Sequence, residues 1–310
     1  MTYRLYDSFK TNDWAHNPEN IKDIFDWFDH RPEGFEMWIA NNSIRDRFVE
    51  PVIEAKVKNK VVIDLGCGSG YYGVMSLLLG CEYAYFVDIC AQTTAIVQRG
   101  LDKMHEAGLI KNNYQVIHSD IESLTREHFQ GPEAQVVLSE FFGPLVFDEG
   151  FQPYTEHLDT IFKNLDFMPN RLSVRISTWE ADFTKSPWPH ANPHLIEMYK
   201  AYFANKPFLN KLSFFGDNIG TVDCKGLDLL HHGEIFYDAN DKSVNEEVDI
   251  IITEPSQMLG VFNCLLGGID GTWFSNAPKY GWWIDEPGHY KIIIDVKHSK
   301  RMPVLIKVDD

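Results

Sequence analysis

The sequence predicts an α/β fold, a doubly wound parallel sheet followed by an antiparallel sheet or barrel. Apolar runs at 60–65, 83–89, 114–119 and 134–138 alternate with helical stretches at 71–79, 91–107 and 121–129, the rhythm of strands joined by crossover helices. A glycine-rich segment closes the first run and opens the first helix, where open sheets of this kind take ligands. Beyond about residue 166 the pattern changes to period-two segments punctuated by Gly and Pro, which marks antiparallel strands.

Taken in order, residues 1–59 form an N-terminal helical segment. Within it, 21–28 reads as a short amphipathic helix and 37–52 as a second one, stopped near Pro51. The parallel-sheet domain is assigned to 60–166 and includes one more helix at 153–164. The second domain is assigned to 167–310, with strands expected at 171–176, 258–265, 271–274 and 289–296. Pro187-Trp188-Pro189-His190 leads into a helical piece at 194–203, and 186–205 projects as an arm.

Composition narrows the function classes. A chain of 310 residues with net charge -17 has no basic surplus to neutralise phosphates, which argues against nucleic acid and against an anionic membrane surface. The five cysteines show no short paired spacing of a zinc site, so free thiols and no metal centre are expected. The residues Met1-Thr2-Tyr3-Arg4-Leu5-Tyr6-Asp7 lack the apolar core of a signal peptide, and no apolar run spans a bilayer. A cytoplasmic location is expected.

The first strand closes on Asp64-Leu65-Gly66-Cys67-Gly68-Ser69-Gly70, where glycines let the backbone approach a ligand. Counted from Gly66, the dinucleotide pattern G-x-G-x-x-G fails at Tyr71, leaving D-x-G-x-G-x-G. Asp88 ends the second strand, where an acid holds two ribose hydroxyls. After the third strand comes Ser119-Asp120-Ile121-Glu122, with Ile121 and Glu122 at the adenine position and Glu122 accepting from the amino group. Arg45, on the helix before the sheet, pairs with a ligand carboxylate. Each residue alone reads as a solvated charge, and the loop alone as a tight turn. Together they describe a site for S-adenosylmethionine, which carries a ribose, an adenine and a carboxylate.

The fourth strand runs into Ser139-Glu140-Phe141-Phe142-Gly143-Pro144-Leu145-Val146-Phe147-Asp148-Glu149. Gly143-Pro144 forces a turn, so Glu140 and Glu149 fall on two limbs of one loop. Paired carboxylates suit guanidinium, whose planar fork donates two parallel hydrogen bonds to each acid. The alternative is a strand end with two solvated acids.

With these motifs assembled, the chain resembles the protein arginine methyltransferases, from about residue 21 onward and most strongly over 45–150. Val61 to Gly70 matches the family's V-V-L-D-x-G-x-G-x-G, and Ser139, Glu140 and Glu149 match its double-Glu loop, S-E-x8-E. Asp88 stands where the family usually has Glu. The resemblance implies a Rossmann-like sheet, an antiparallel β-barrel, a helical dimerisation arm and a homodimer. It also identifies departures. The Tyr-Phe-x-x-Tyr segment corresponds to Ile24-Phe25-Asp26-Trp27-Phe28, without either phenol. The barrel's Thr-His-Trp loop corresponds to Ala277-Pro278-Lys279-Tyr280-Gly281-Trp282-Trp283, without the His.

The resemblance thus implies methyl transfer from S-adenosylmethionine to a guanidino nitrogen. Glu140 and Glu149 are catalytic and bind the acceptor, with Phe28 and Trp282 beside them. Gly66, Gly68, Gly70, Asp64, Asp88, Arg45, Ile121 and Glu122 hold the cofactor. The altered peptide-facing loops favour free L-arginine or another small guanidine as acceptor. Arginyl residues in proteins are the alternative, and a catalytically silent partner subunit is the alternative of another class. His231-His232 with Glu234 is read as a solvated loop, since neighbouring histidines in a strand point apart.

Overall fold

The structure is a computed structural model in which residues 51–141, 147, 150–180, 208–209, 230–254, 257–266, 278–284, 286–297 and 303–308 are described. The expected helices at 21–28 and 194–203, the arm at 186–205 and the segment 271–274 lie outside them, as does the expected helix at 37–52 up to residue 50. The chain divides into two compact units, the first comprising residues up to Glu140 with Pro153–Asn170, the second Phe141–Gln152 with Arg171–Asp310.

The first unit holds a parallel sheet of β1 (Val61–Leu65), β2 (Tyr83–Asp88), β3 (Tyr114–His118), β4 (Val136–Ser139) and β5 (Asp166–Met168). Their order is β3-β2-β1-β4-β5, the doubly wound topology that the alternation of runs predicts. Every residue of β1 is buried, as expected of a β-branched strand covered on both faces. Burying a side chain such as Ile63 or Phe86, each 0% exposed, contributes about 1.5–3 kcal/mol.

Two crossover helices, α1 (Tyr71–Leu78) and α2 (Ala91–Glu106), bring β1 to β2 and β2 to β3. In α2 the buried residues Thr93, Val97, Gly100, Leu101 and Met104 recur at the helical period. Both helices stop in the same way. Gly80 and Gly108 donate to Leu77 and His105, while Cys81 and Leu109 reach back to Ser76 and Met104, the paired bonds of a glycine-closed helix end.

Between β3 and β4 the structure departs from the helix expected at 121–129. Two single 3-10 turns stand there, Ile121–Ser123 and Arg126–His128. The side chains of Asp120 and His128 accept the backbone N–H groups of Glu122 and Thr125 and close each turn before a helix can propagate. The last helix, α3 (Phe151–Ile161), precedes β5 and lies slightly earlier in the chain than 153–164. A helical stretch at 51–56 is tied to the sheet by Lys56, whose Nζ donates to both oxygens of Asp166 at 2.8 Å.

The second unit is antiparallel. Its six-stranded sheet has the order β7-β12-β11-β6-β8-β9, built from β6 (Arg171–Glu180), β7 (Phe208–Leu209), β8 (Leu230–Asp238), β9 (Val244–Asn245), β11 (Gln257–Leu266) and β12 (Pro278–Ile284). A three-stranded sheet joins β10 (Glu247–Ile252), β13 (Gly288–Ile293) and β14 (Val304–Val308). Along β10 the residues Val248, Ile250 and Ile252 are buried while Glu247, Asp249 and Ile251 face out, the period of two that the sequence shows.

His231 and His232 lie in β8, not in a loop. A register shift between Ile176 and Ser177 of β6 sets the two rings on different hydroxyls. Ser177 Oγ meets His231 Nδ1 at 2.6 Å, and Thr178 Oγ1 meets His232 Nε2 at 2.8 Å. Both hydroxyls are buried, so each imidazole satisfies a group that would otherwise be left unpaired. Glu234 is engaged instead by Arg171 at 3.2 Å and Arg175 at 3.1 Å.

Candidate functional site

At the carboxyl edge of the parallel sheet the chain leaves β1 through three left-handed residues, Gly66 at φ 65°, Gly68 at φ 50° and Gly70 at φ 74°. Around Gly68 no heavy atom lies within 4 Å of where a side chain would begin, so the loop presents bare backbone with open space beside it. Gly70 is confined: a Cβ there would meet Val97 at 3.2 Å and Phe86 at 3.3 Å.

A fourth glycine completes the arrangement. The Gly73 N–H donates to Asp64 Oδ2 at 2.8 Å, and a Cβ at Gly73 would stand 2.2 Å from the Phe86 ring. Gly73 therefore sets how closely α1 approaches β2. Counted from Gly68, the spacing G-x-G-x-x-G is present as Gly68, Gly70 and Gly73, with the third glycine in its helix-packing role. Counting from Gly66 misses it, although the signal is in the sequence.

Asp64 is 3% exposed. Its carboxyl is pushed up to about 8, chiefly by burial, which the Gly73 N–H opposes and the nearby charge of Asp88 reinforces. Asp88 ends β2 in a different setting. Its Oδ2 accepts from the Gly68 N–H at 2.9 Å and its Oδ1 from the Cys90 N–H at 2.8 Å. The acid thus spans the glycine loop and the start of α2. Next to it Ile89 is 65% exposed, held through its carbonyl by His118 Nε2 at 3.0 Å. An exposed apolar side chain at a ligand-binding edge offers a face to a flat ring; sequence reading passed over it as part of the strand.

Across β3, Asp120 Oδ1 accepts from the Glu122 N–H at 3.0 Å, which fixes the turn carrying Glu122. Glu122 is exposed, whereas Ile121 is buried at 8%. On the other side of β1, the register sets Ser139 beside Leu65, and half-buried Glu140 follows directly. The structure therefore brings Asp64, Gly66, Gly68, Gly70, Asp88, Ile121, Glu122 and Glu140 to one edge of one sheet. Phe28, Arg45 and Glu149 lie outside the described residues. Trp282 lies in β12 of the second unit and is fully buried, and its indole N–H has no hydrogen-bond partner among the described residues.

No known protein-family profile matches the chain. Among curated proteins, it is 33% identical over 91 residues to the ribosomal protein L11 methyltransferase of Acinetobacter baumannii (strain SDF), covering 29% of this chain and 28% of that protein. It is 56% identical over 39 residues to the same enzyme of Psychrobacter arcticus, 13% of either chain. The match to these relatives therefore spans under a third of their length.

Solved structures match far more of the chain. PRMT6 aligns with a TM-score of 0.58 over 87% of this chain and 98% of its own, at 12% identity. The Trypanosoma brucei PRMT1 enzyme–prozyme complex aligns at 0.54 over 86% and 88%, also at 12% identity. Protein arginine methyltransferase 10 of Arabidopsis thaliana aligns at 0.52 over 82% and 85%. The fold is that of the class I, S-adenosylmethionine-type methyltransferases. More narrowly, it is the fold of the protein arginine methyltransferases, a parallel Rossmann-like sheet with added antiparallel sheets.

Proposed function

We propose that this chain transfers a methyl group from S-adenosylmethionine to a guanidino nitrogen, with free L-arginine as acceptor. The carrying observation is the state of Asp88. Its two oxygens each accept one backbone N–H, and a carboxylate has about four acceptor positions, so two remain for a pair of ribose hydroxyls. Gly68 leaves room beside it, and exposed Ile89 and Glu122 suit the face and the amino group of an adenine. These residues fit the cofactor. The Trypanosoma brucei neighbour was solved with AdoHcy and one PRMT6 structure with SAH, which supports the same reading. When bound, S-adenosylmethionine supplies a methyl group already activated by the sulfonium charge.

For the acceptor half, support comes from the spacing Ser139-Glu140-x8-Glu149. In this reading Glu140 and Glu149 hold the guanidinium and draw its charge toward the nitrogens they contact. The remaining nitrogen keeps its lone pair for in-line attack, and placement at near-attack distance supplies much of the acceleration. Arg45 binds the cofactor carboxylate, and the segment 1–59 closes over it. The reading extends to a barrel in the second domain and to a homodimer built through the 186–205 arm, which light scattering would remove by giving a monomer mass.

The deciding assay offers S-adenosylmethionine with free L-arginine, an Arg-Gly-rich peptide or ribosomal protein L11 in separate tubes, read by mass spectrometry. Methylated L-arginine alone, lost in Glu140→Gln and Glu149→Gln, is the expected result. Methylated peptide would transfer the activity to arginyl residues, the reading favoured by the fold likeness to enzymes named as protein arginine methyltransferases. Methylated L11, or no methylated product at all, would overturn the arginine assignment.

A further inference from the structure

Ser139 is the last residue of β4 and is 3% exposed. Its Oγ is buried and finds no hydrogen-bond partner among the described residues. Most buried polar atoms in folded proteins are paired, and an unpaired one costs stability. The preceding residues Val136, Val137 and Leu138 are apolar and buried, so an alanine would continue the strand without that cost. Elsewhere the chain does pair buried hydroxyls, as at Ser177 and Thr178. Ser173 also carries an unpartnered buried hydroxyl among the described residues, but it lies in β6. Ser139 ends a strand of the parallel sheet, at the edge where such sheets bind ligands.

The carboxylates of Asp64, Asp88 and Asp120 along this edge each accept at least one backbone N–H. Among the described residues the Ser139 hydroxyl has no partner as donor or acceptor, and Ser139 immediately precedes Glu140. We propose that Ser139 is a ligand-positioning residue whose hydroxyl accepts an N–H of the guanidinium that Glu140 binds. The inference rests on the function proposed above and deepens it. The ligand-free protein tolerates an unsatisfied hydroxyl because the bound acceptor satisfies it, the arrangement expected where stability has been exchanged for binding.

Thermal melting of the full chain tests this, without ligand and with S-adenosylhomocysteine plus L-arginine. Ser139→Ala is expected to raise the ligand-free midpoint by about 1–3 °C, since the unpaired hydroxyl is gone. It should also weaken L-arginine roughly tenfold while leaving the S-adenosylhomocysteine shift unchanged. Ser139→Thr, which keeps a hydroxyl, should recover most of the L-arginine affinity. A lowered ligand-free midpoint in Ser139→Ala, or L-arginine affinity equal to wild type, would show a packing residue and overturn the inference. So would equal loss of affinity in both variants. If wild type with S-adenosylhomocysteine responds to neither L-arginine nor an Arg-Gly-rich peptide, the functional reading itself fails and this inference falls with it.

Discussion

Gly68 and Asp88 are joined by a 2.9 Å hydrogen bond from the backbone of one to the carboxylate of the other. A second bond, from the Cys90 N–H, takes the other oxygen at 2.8 Å. One side chain thus fixes the glycine loop after β1 against the start of α2. Asp88→Ala should unpair both N–H groups and lower stability by about 1–3 kcal/mol. Calorimetric affinity for S-adenosylhomocysteine should fall at least tenfold with it. Asp88→Asn keeps one acceptor toward the loop and should recover stability more than affinity. Unchanged affinity in both variants would remove Asp88 from the site.

Gly73 is held by space. A Cβ there would stand 2.2 Å from the Phe86 ring, so Gly73→Ala should cost about 1–3 kcal/mol in urea unfolding through overpacking. Phe86→Leu in the same chain should return part of that loss, because neighbouring substitutions couple. Strict additivity of the two would show that the ring is not what excludes the methyl group.

Asp64 makes stability depend on pH. Its carboxyl stands at about 8 in the folded chain against an ordinary value of 3.8. Between those values the unfolded chain loses a proton that the folded chain keeps, so this contribution is full below about pH 4 and is lost as pH rises to about 8. Asp64→Asn keeps an acceptor for Gly73 and has no proton to lose. Relative to wild type it should gain roughly 1.4 kcal/mol for each pH unit across that window. Urea unfolding at three pH values measures this, and a constant difference would show that Asp64 is ionised in the folded state.

Cys90 should be the most reactive of the described thiols. Hydrogen bonds from Thr93 lower its thiol below the usual range, and it is partly exposed at the start of α2, where thiolates are favoured. Cys67 is buried, and burial pushes Cys81 up to about 12. Iodoacetamide followed by peptide mapping should modify Cys90 first, and S-adenosylhomocysteine should slow it several-fold. Equal labelling of Cys81 would refute the ordering.

Loss of either acid in the double-Glu motif should reduce turnover roughly a hundredfold or more. Melting temperature and S-adenosylhomocysteine affinity should stay near wild type in Glu140→Gln, since Glu140 is half-buried and beyond the end of β4. Single-turnover rates check this, and near-normal rates in Glu140→Gln would remove that acid from the chemistry.

What the sequence determined by itself is the part carried by local rules. Alternating apolar runs and helical periods name β1 to β4, α1 and α2 within a residue or two, because strand and helix each impose their own spacing on buried side chains. The place of the glycine loop and of Asp88 follows from the same count. Tertiary structure decided the rest. Residues 121–129 carry a helical pattern, yet the side chains of Asp120 and His128 compete for the backbone and leave two short turns. Gly73 acquires its role only when Phe86, from another strand, arrives against it. The unpaired state of Ser139 depends on which groups surround the end of β4, and His231 and His232 find separate partners only through the shifted register of β6 and β8. Spacing along a chain reports which residues share a face. Which atoms finally meet depends on the neighbours that folding brings from distant parts of the sequence.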